Sequence, residues 1–372
     1  MLTYSFYEYD NRVKRYAETL VKRGDHVDVI ALRKDFQSSQ DVVNGVYLYR
    51  LQKRNRDEKN KFSYLIRIFK FLVKSMLFLS KKHLDEHYDL IHVHNIPDFL
   101  VFATIIPKLK GAKIILDIHD ILPEFYVSKF NTHKKALFYK LIILIEKMSV
   151  SFSDHIIVSN HLWQKTLISR SVKNEKCTVI LNYPNSSLSS KQNQNSECVN
   201  NEKFLLFYPG SLNWHQGVDI AVRSFAIVKD QIPGSEFHIY GDGPSKNYLL
   251  DLVKQLNMEK CVIFKNPVPH DRVSDILLNA NLGIVPKRAD VFGNEAFSTK
   301  ILEFMALGIP VLVSDTKIDK FYFNESLVMF FKSGDEKDLA EKIISLYKDK
   351  ELREKLIMNS LNYVEENNLE KK

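Results

Sequence analysis

A lysine and a glutamate one helical turn apart give this 372-residue chain its clearest candidate for binding chemistry. They are Lys300 and Glu303, and Ser298 or Thr299 just before them can cap the start of a helix. The first turn of a helix carries free backbone N–H groups and the positive end of the helix dipole, so it favours an anion. A diphosphate suits that position, with Lys300 as its charge partner and Glu303 accepting hydrogen bonds from ribose hydroxyls. The alternative is an ordinary exposed ion pair with i,i+3 spacing.

A second candidate group combines histidines and aspartates at the ends of predicted strands. Residues 117–120 are Asp-Ile-His-Asp, so His119 and Asp120 lie at the carboxyl end of a strand, where parallel sheets bind their ligands. The alternative for His119 is a strand-end histidine whose ring hydrogen-bonds to the backbone. His92 and His94 alternate onto one face of another strand and could together ligate a metal. Because no matched carboxylate or cysteine is near them in sequence, we expect no metal and assign His94 to the lining of a ligand cleft.

The elements that must position these residues are short β-branched strands alternating with helical patterns. A stretch rich in serine, asparagine and glutamine, residues 184–203, interrupts the alternation and predicts a linker between residues 1–183 and residues 204–372. Each half predicts an α/β domain with a doubly wound parallel sheet, and we expect the ligand site in the cleft between the domains. The predicted strands are 26–32, 89–94, 113–119, 155–159, 178–181, 204–210, 236–241, 262–266, 282–286 and 310–315.

Composition limits the possible environments and partners. Cys177, Cys198 and Cys261 share no close spacing, which argues against a disulfide framework or a zinc site and favours a reducing cytoplasm. The N-terminus lacks a signal-peptide pattern, and no apolar run reaches the ~20 residues that span a bilayer. The net charge of +8 is uneven, with +11 in residues 1–183 and −3 in residues 184–372. The basic half indicates a membrane surface or a phosphorylated acceptor as partner, or only a solvated basic surface, and no recognised module supports nucleic acid.

Several motifs in a fixed order carry a resemblance to a known family. Glu295 and Glu303 have seven residues between them and are followed by Met-Ala-x-Gly-x-Pro-Val. This pattern resembles the signature of retaining glycosyltransferase family 4, of the type that builds bacterial surface polysaccharides. The resemblance covers nearly the whole chain and implies a GT-B fold, with two Rossmann-like domains that bind acceptor (N-terminal) and nucleotide sugar (C-terminal). The other matching segments are 153–159, Asn182, 207–217 and 240–244.

The resemblance implies a role for each matching residue. Glu303 would hold the donor ribose, Glu295 would contact the transferred sugar, and His119 matches a family histidine that contacts the donor sugar. With Asp120, His119 and Glu295 form the predicted catalytic set. The predicted donor-binding residues are Gly210, Ser211, His215, Gln216, Gly241, Phe297, Ser298, Thr299, Lys300 and Glu303.

The chain departs from the family pattern at the usual basic pair. Ser211 and Gln216 stand where the family commonly has an arginine and a lysine. Lys300, His215 and the helix N-terminus would have to replace that pair beside the diphosphate.

The glycine-rich first loop of the family is also replaced, here by residues 6–12. Asn11 and Arg12 in that segment would either cap and charge the following helix or bind an anionic acceptor. Together with His94 they are the predicted acceptor-binding residues.

The segment Lys59–Lys82 predicts a helix that holds seven basic residues and no acidic ones. Phe71 and Phe78 fall within its basic stripe, which predicts binding to an anionic membrane surface. The alternative is a solvated helix whose two phenylalanines are covered by a neighbouring segment. The basic stripe comprises Arg67, Lys70, Lys74 and Lys81, and the opposite, core-facing side comprises Leu65, Phe69, Leu72, Met76 and Leu79.

The predicted activity is transfer of a hexose-type sugar from a nucleotide sugar to a lipid-linked oligosaccharide or another saccharide acceptor. The resemblance implies retention of anomeric configuration without a metal or cofactor. Two alternatives stay open, a nucleotide-sugar epimerase of the same fold and a non-catalytic nucleotide-sugar-binding protein, the latter suggested by the missing basic pair. We expect a cytoplasmic protein that binds peripherally to the cytoplasmic face of a membrane.

Overall fold

The chain folds into two compact units. A computed structural model describes residues 1–54, 61–130, 137–183, 203–268 and 270–367. The units are Met1–Leu181, called the N-terminal unit below, and Asn182–Lys372, called the C-terminal unit. Except for Lys203, the predicted linker 184–203 lies outside the described residues.

The N-terminal unit is built around an eight-stranded sheet with the order β3-β4-β2-β1-β5-β6-β7-β8. All neighbouring strands are parallel except β3 and β4. The strands are β1 Leu2–Thr3, β2 Asp28–Arg33, β3 Gln40–Val43, β4 Val46–Lys53, β5 Leu90–His94, β6 Lys113–Ile118, β7 His155–Val158 and β8 Cys177–Val179. The helices are α1 Asn11–Arg23, α2 Lys61–Glu86, α3 Ile105–Leu109, α4 Leu122–Phe130, α5 Leu137–Phe152 and α6 His161–Arg170, and a 3-10 segment, Asp98–Thr104, precedes α3.

The antiparallel hairpin of β3 and β4 departs from the predicted all-parallel sheet. Its turn is Asn44-Gly45, and both residues have positive φ, 52° and 80°. Asn-Gly favours this conformation in two-residue hairpin loops because asparagine and glycine tolerate positive φ best. The dipeptide and the alternating burial along β4 were the sequence signals for this hairpin.

The C-terminal unit is built around a six-stranded, fully parallel sheet with the order β11-β10-β9-β12-β13-β14. Its strands are β9 Leu205–Pro209, β10 Glu236–Tyr240, β11 Val262–Lys265, β12 Leu282–Val285, β13 Val311–Ser314 and β14 Met329–Phe331. Its helices are α7 Val218–Val228, α8 Lys246–Gln255, α9 His270–Leu277, α10 Thr299–Ala306, α11 Lys317–Tyr322, α12 Glu336–Lys348 and α13 Lys350–Glu366. The predicted strands of both units are confirmed, whereas β3, β4 and β14 were not predicted.

Helix α2 faces the sheet with a different side from the one predicted. Phe71 is 0% exposed and packs edge-on against Tyr4, with ring centroids 5.2 Å apart. Phe78 is partly buried and lies 4.9 Å from the ring of Tyr49. Leu65 and Phe69, which were predicted to face the core, are 53% and 63% exposed. The prediction that Phe71 is exposed is therefore wrong, because a helix with apolar residues on most of its circumference does not reveal which stripe meets the sheet.

No helix among the described residues is long and apolar enough to cross a membrane.

Candidate functional site

In the C-terminal unit, the predicted donor-binding residues gather where β9 ends and α10 begins. Strand β9 ends at Pro209, and Gly210 follows it. A side chain at Gly210 would place its Cβ 2.2 Å from Lys300 Cε, so the lysine would have to move from its present position. Gly241, after β10, packs just as closely, since its Cβ would lie 1.8 Å from the carbonyl oxygen of Gly210. Gly210 thus borders the space that Lys300 enters, whereas Gly241 allows the two strand ends to approach each other closely.

Lys300 is held by aromatic and amide groups. Its Nζ donates to Gln216 Oε1 at 3.3 Å and lies 5.5 Å from the centroid of the Tyr208 ring. The Tyr208 hydroxyl donates to the carbonyl of Ser211 at 2.8 Å. Burial lowers the pKa of Lys300 to about 8, although the charge of Glu303 acts in the opposite direction. The structure therefore brings together Lys300 and the two positions, Ser211 and Gln216, at which the chain departs from the family pattern.

The N-terminus of α10 offers a hydrogen-bonding hydroxyl as well as backbone N–H groups. Ser298 is the N-cap residue in extended conformation, but its side chain makes no capping hydrogen bond. Its Oγ is buried and has no hydrogen-bond partner in the described part of the chain. A buried hydroxyl without a partner is costly unless a ligand satisfies it. The helix ends before Gly308, whose φ of 66° is left-handed, as the sequence predicted.

The other predicted donor residues surround this helix start. Glu295 is half-buried in the loop before α10, and Thr299 and Glu303 are half-buried on α10 itself. His215 Nε2 lies 3.1 Å from the side-chain amide nitrogen of Gln216. Burial lowers the pKa of the His215 imidazole. The Phe297 ring points into an aromatic cluster, 4.9 Å from the Tyr322 ring, so only its backbone remains for a ligand.

Lys287 supports this loop and was missed by the sequence reasoning. It is 2% exposed, and its Nζ donates to the carbonyl of Ala296 at 2.6 Å. The same ammonium group lies 2.9 Å from the carboxylate of buried Asp319. Burial raises the pKa of Asp319. Because the pair is separated by 32 residues in sequence, no local spacing indicates it.

In the N-terminal unit, three histidines surround one carboxylate at the ends of β5 and β6. Asp117 Oδ2 lies 3.4 Å from His92 Nε2, 3.4 Å from His94 Nδ1 and 3.6 Å from His119 Nε2. His94 Nδ1 is also 3.0 Å from His119 Nε2. Burial lowers the pKa of His94 well below its ordinary value, so this ring is neutral at pH 7. Asp120, which follows, is half-buried, and burial raises its pKa.

His94 lies deeper than the predicted cleft-lining position. It is 0% exposed, whereas the His119 side chain is 20% exposed. A ligand at this surface therefore meets His119, and His94 can act on it only through the hydrogen bond between the two rings.

Arg12 is a buried structural residue, which corrects its predicted contact with an anionic acceptor. Its guanidinium binds both oxygens of Asp117, at 2.8 and 2.9 Å, and donates to the carbonyl of Ile180 at 2.8 Å. Burial disfavours the charged guanidinium, but the Asp117 carboxylate raises the pKa of Arg12 above its ordinary value. Asn11 is exposed and does not cap α1, because the Asp10 side chain accepts from the Val13 N–H instead.

The same carboxylate is the centre of a possible metal-ligand group. His92, His94 and Asp117 offer ligand atoms within 4.8 Å of one another. The charge of Asp117 is already balanced by Arg12, and together Arg12 and His119 hold the pKa of this buried aspartate well below its usual range. A divalent cation here would meet the guanidinium at close range without a second carboxylate. The absence of a metal requirement stays a prediction.

Comparison with known proteins places both units in described families. Residues 10–183 match the family model described as Glycosyltransferase Family 4. Residues 189–362 match the model described as Glycosyl transferases group 1.

Curated relatives share this assignment along most of their length. An uncharacterized glycosyltransferase of Methanocaldococcus jannaschii is 25% identical over 310 residues, which is 81% of this chain and 75% of the relative. An O-antigen biosynthesis glycosyltransferase of Escherichia coli, WclY, is 25% identical over 285 residues, which is 69% of this chain and 70% of the relative.

Solved structures show the same fold at low identity. The sucrose-phosphate synthase of Thermosynechococcus elongatus superposes with a TM-score of 0.77 and 18% identity, over 98% of this chain and 93% of that one. HepE of Anabaena, solved in complex with UDP-glucose, superposes with a TM-score of 0.71 and 16% identity, over 98% of this chain and 94% of that one.

Proposed function

Because the chain belongs to the GT-B-fold glycosyltransferases of family 4, we propose that it transfers a hexose-type sugar from a nucleotide sugar to a saccharide or lipid-linked oligosaccharide acceptor. Surface-polysaccharide assembly is the proposed setting, because curated relatives include O-antigen and capsular polysaccharide enzymes. UDP is the proposed nucleotide, since HepE was solved with UDP and with UDP-glucose. Retention of configuration and independence of metal ions complete the proposal.

The observation that carries the proposal is the group of polar atoms at the start of α10. Lys300 supplies a cation, Ser298 supplies a buried hydroxyl without a partner, and the helix supplies its N-terminal N–H groups. All three favour an anion with several oxygens, which is what a nucleoside diphosphate offers. As the glycosidic bond breaks, negative charge grows on the leaving diphosphate, and these fixed donors stabilise it.

The N-terminal unit contributes His119 and Asp120 to the proposal. The inner nitrogen of His119 faces His94, which leaves Nδ1 for a sugar hydroxyl. The buried carboxylate of Asp117 lies 3.6 Å from His119 Nε2, and negative charge close to the sugar would favour an oxocarbenium-like state, which carries positive charge. Acceptor binding by this unit remains part of the proposal.

Substitution of the two glutamates of the family motif should have different effects on UDP binding and on turnover. Glu303→Gln should weaken the binding of UDP and of UDP-glucose about equally, by roughly tenfold or ~1.5 kcal/mol. The reason is that the ribose contact is the same before and during the reaction. Glu295→Gln should leave UDP binding nearly unchanged and lower kcat, because it would contact the sugar only as charge develops. Isothermal titration calorimetry with UDP and a transfer assay on both variants measure this.

Exposed Glu259, on the same unit, provides a matched control. Glu259→Gln should change neither UDP affinity nor kcat. Equal loss of UDP affinity in Glu295→Gln and Glu303→Gln would contradict the division of roles. Turnover of UDP-glucose to an epimer without any acceptor would instead identify the chain as an epimerase, and binding without either reaction would identify a binding protein.

A further inference from the structure

Exposed apolar side chains are concentrated on three neighbouring helices of the N-terminal unit. Of the 25 exposed large hydrophobic residues in the described chain, 13 lie on α2, α3 and α5. These side chains are between 38% and 84% exposed. A concentration of exposed apolar side chains on one part of a protein commonly marks a site of interaction with a protein or a membrane. The residues are Leu65, Ile66, Phe69, Leu77, Leu84, Ile105, Ile106, Leu109, Leu137, Phe138, Leu141, Leu144 and Met148.

The three helices are linked through the 3-10 segment Asp98–Thr104. The 3-10 segment Asp98–Thr104 packs against both α2 and α5, and α3 continues from it and packs against α2. Along α2 alone the exposed residues Leu65 to Leu84 extend over about 28 Å at 1.5 Å per residue. We call this face, made by α2, α3 and α5, the apolar helical face. A shallow groove in it is lined by Phe102, Lys147, Met148, Ser151 and Phe152.

Exposed lysines are distributed among the apolar side chains of this face. None of them is paired with an acidic side chain within the described residues. Helix α5 carries one acidic residue, Glu146, which is buried and binds Arg170. Helix α2 carries two, Asp85 and Glu86, both in its last turn. The lysines are Lys70, Lys81, Lys110, Lys140 and Lys147.

We propose that the apolar helical face docks onto the surface of an anionic lipid bilayer. Large apolar side chains flanked by unpaired lysines match a boundary at which acyl chains meet negatively charged headgroups. A second copy of the same face is a poor occupant, because an isologous dimer would bring its lysines against each other. The proposal does not rest on the proposed transfer reaction, since none of these residues belongs to the donor site.

This face differs from the one that the sequence predicted for the segment Lys59–Lys82. Phe71 and Phe78 take no part, since Phe71 is buried and Phe78 packs against Tyr49. Two of the residues assigned to the core, Leu65 and Phe69, belong to the face instead. Helix α5, which the sequence did not single out, supplies five of the thirteen apolar residues.

Vesicle flotation tests the proposal with the full chain. Wild-type protein should float with vesicles of phosphatidylcholine mixed with phosphatidylglycerol, and at least tenfold less with phosphatidylcholine alone. The triple variant Phe69→Ser, Leu77→Ser, Leu144→Ser should lose at least tenfold of its partition at unchanged net charge. The triple variant Lys70→Gln, Lys81→Gln, Lys140→Gln should lose a comparable share, and added salt should weaken wild-type binding.

Exposed apolar residues of the C-terminal unit provide the matched control. Ile227→Ser, Leu250→Ser and Met358→Ser together remove three comparably exposed side chains and should leave flotation unchanged. Wild-type protein that stays unbound at low salt, or a control that loses binding equally, overturns the proposal. Concentration-dependent self-association that the Phe69, Leu77 and Leu144 variant abolishes would also overturn it. Calorimetry with UDP on the same variants should show unchanged affinity, which separates this test from that of the donor site.

Discussion

Replacing Asp117 by asparagine is expected to lower the free energy of unfolding of the N-terminal unit by about 3–5 kcal/mol. Asp117 is fully buried and binds the guanidinium of Arg12 through both oxygens, so the variant leaves a buried cation without its counter-charge. Loss of an isolated surface pair has far smaller effects. Asparagine keeps the shape of the side chain, so the loss reflects charge and hydrogen bonding rather than a cavity.

Tryptophan fluorescence can report on this unit alone. The chain has two tryptophans, buried Trp163 in the N-terminal unit and exposed Trp214 in the C-terminal unit. In a Trp214→Phe background, urea denaturation followed by fluorescence measures the unit that contains Asp117. The double variant Arg12→Met, Asp117→Asn should recover much of the lost stability, because no unpaired charge remains buried.

The exposed ion pair Arg23–Asp25 supplies the control, since its side chains are 70% and 41% exposed. Arg23→Gln should leave the urea midpoint unchanged. The pKa of Asp117 is depressed in the folded state, so its contribution is present above the unfolded pKa of about 3.9 and is lost as pH falls below it. The difference between wild type and Asp117→Asn should therefore shrink as the pH falls below about 4. A midpoint shift no larger than that of Arg23→Gln would show that the ion pair does not stabilise the fold.

Much of the fold could be predicted because its signals are local. Parallel strands buried on both faces appear as short apolar runs, and ten such runs correspond to strands of the structure. The signals for the start and end of α10 were also local, since a serine before the helix and Gly308 after it mark its boundaries. Gly210 and Lys300 were both predicted to bind the donor, but no spacing in the sequence indicated that they lie near each other.

Contacts between residues that are far apart in the sequence could not be predicted. Arg12 and Asp117 are 105 residues apart, and Lys287 and Asp319 are 32 apart, so neither ion pair has a local pattern. Without knowledge of this partner, Arg12 was predicted either to charge the following helix or to bind an anionic acceptor. The prediction of the buried face of α2 was wrong for the same reason, because Phe71 is buried against Tyr4, which lies on a distant segment of the chain.

In our proposal, the donor site binds the diphosphate although the basic pair of the family is replaced. The family positions for arginine and lysine hold Ser211 and Gln216, yet Lys300 reaches the same spot from α10. Gly210 permits this approach, because a Cβ there would lie 2.2 Å from Lys300 Cε. One lysine on a helix start thus replaces two basic residues from a loop in our proposal, and Lys300 becomes the side chain on which donor affinity most depends.

Replacing Lys300 by methionine is expected to weaken UDP binding by roughly 150-fold or more, about 3 kcal/mol, the upper end of the range for a charged hydrogen bond. Stability should not fall, because burial of the ammonium group lowers its pKa and methionine removes a charge that the free protein accommodates at a cost. A loss of affinity with equal or higher melting temperature is typical of a ligand-binding group and not of a structural one. Calorimetry with UDP and thermal unfolding measure the two quantities.

The pH dependence of UDP binding is a second, independent test of whether Lys300 binds the diphosphate. Its pKa is about 8 in the free protein and should rise when the diphosphate binds, so binding takes up a proton above pH 8. Between pH 7 and 8 the terminal phosphate, with a pKa of about 6, is already ionised, so wild-type affinity should fall by only about twofold there and by up to tenfold per pH unit above 8. The Lys300→Met variant should show no such decline, whereas Lys254→Met, which removes an exposed lysine from α8, should behave as wild type. A decline of equal slope in Lys300→Met would assign the titration to another group and remove Lys300 from the diphosphate site.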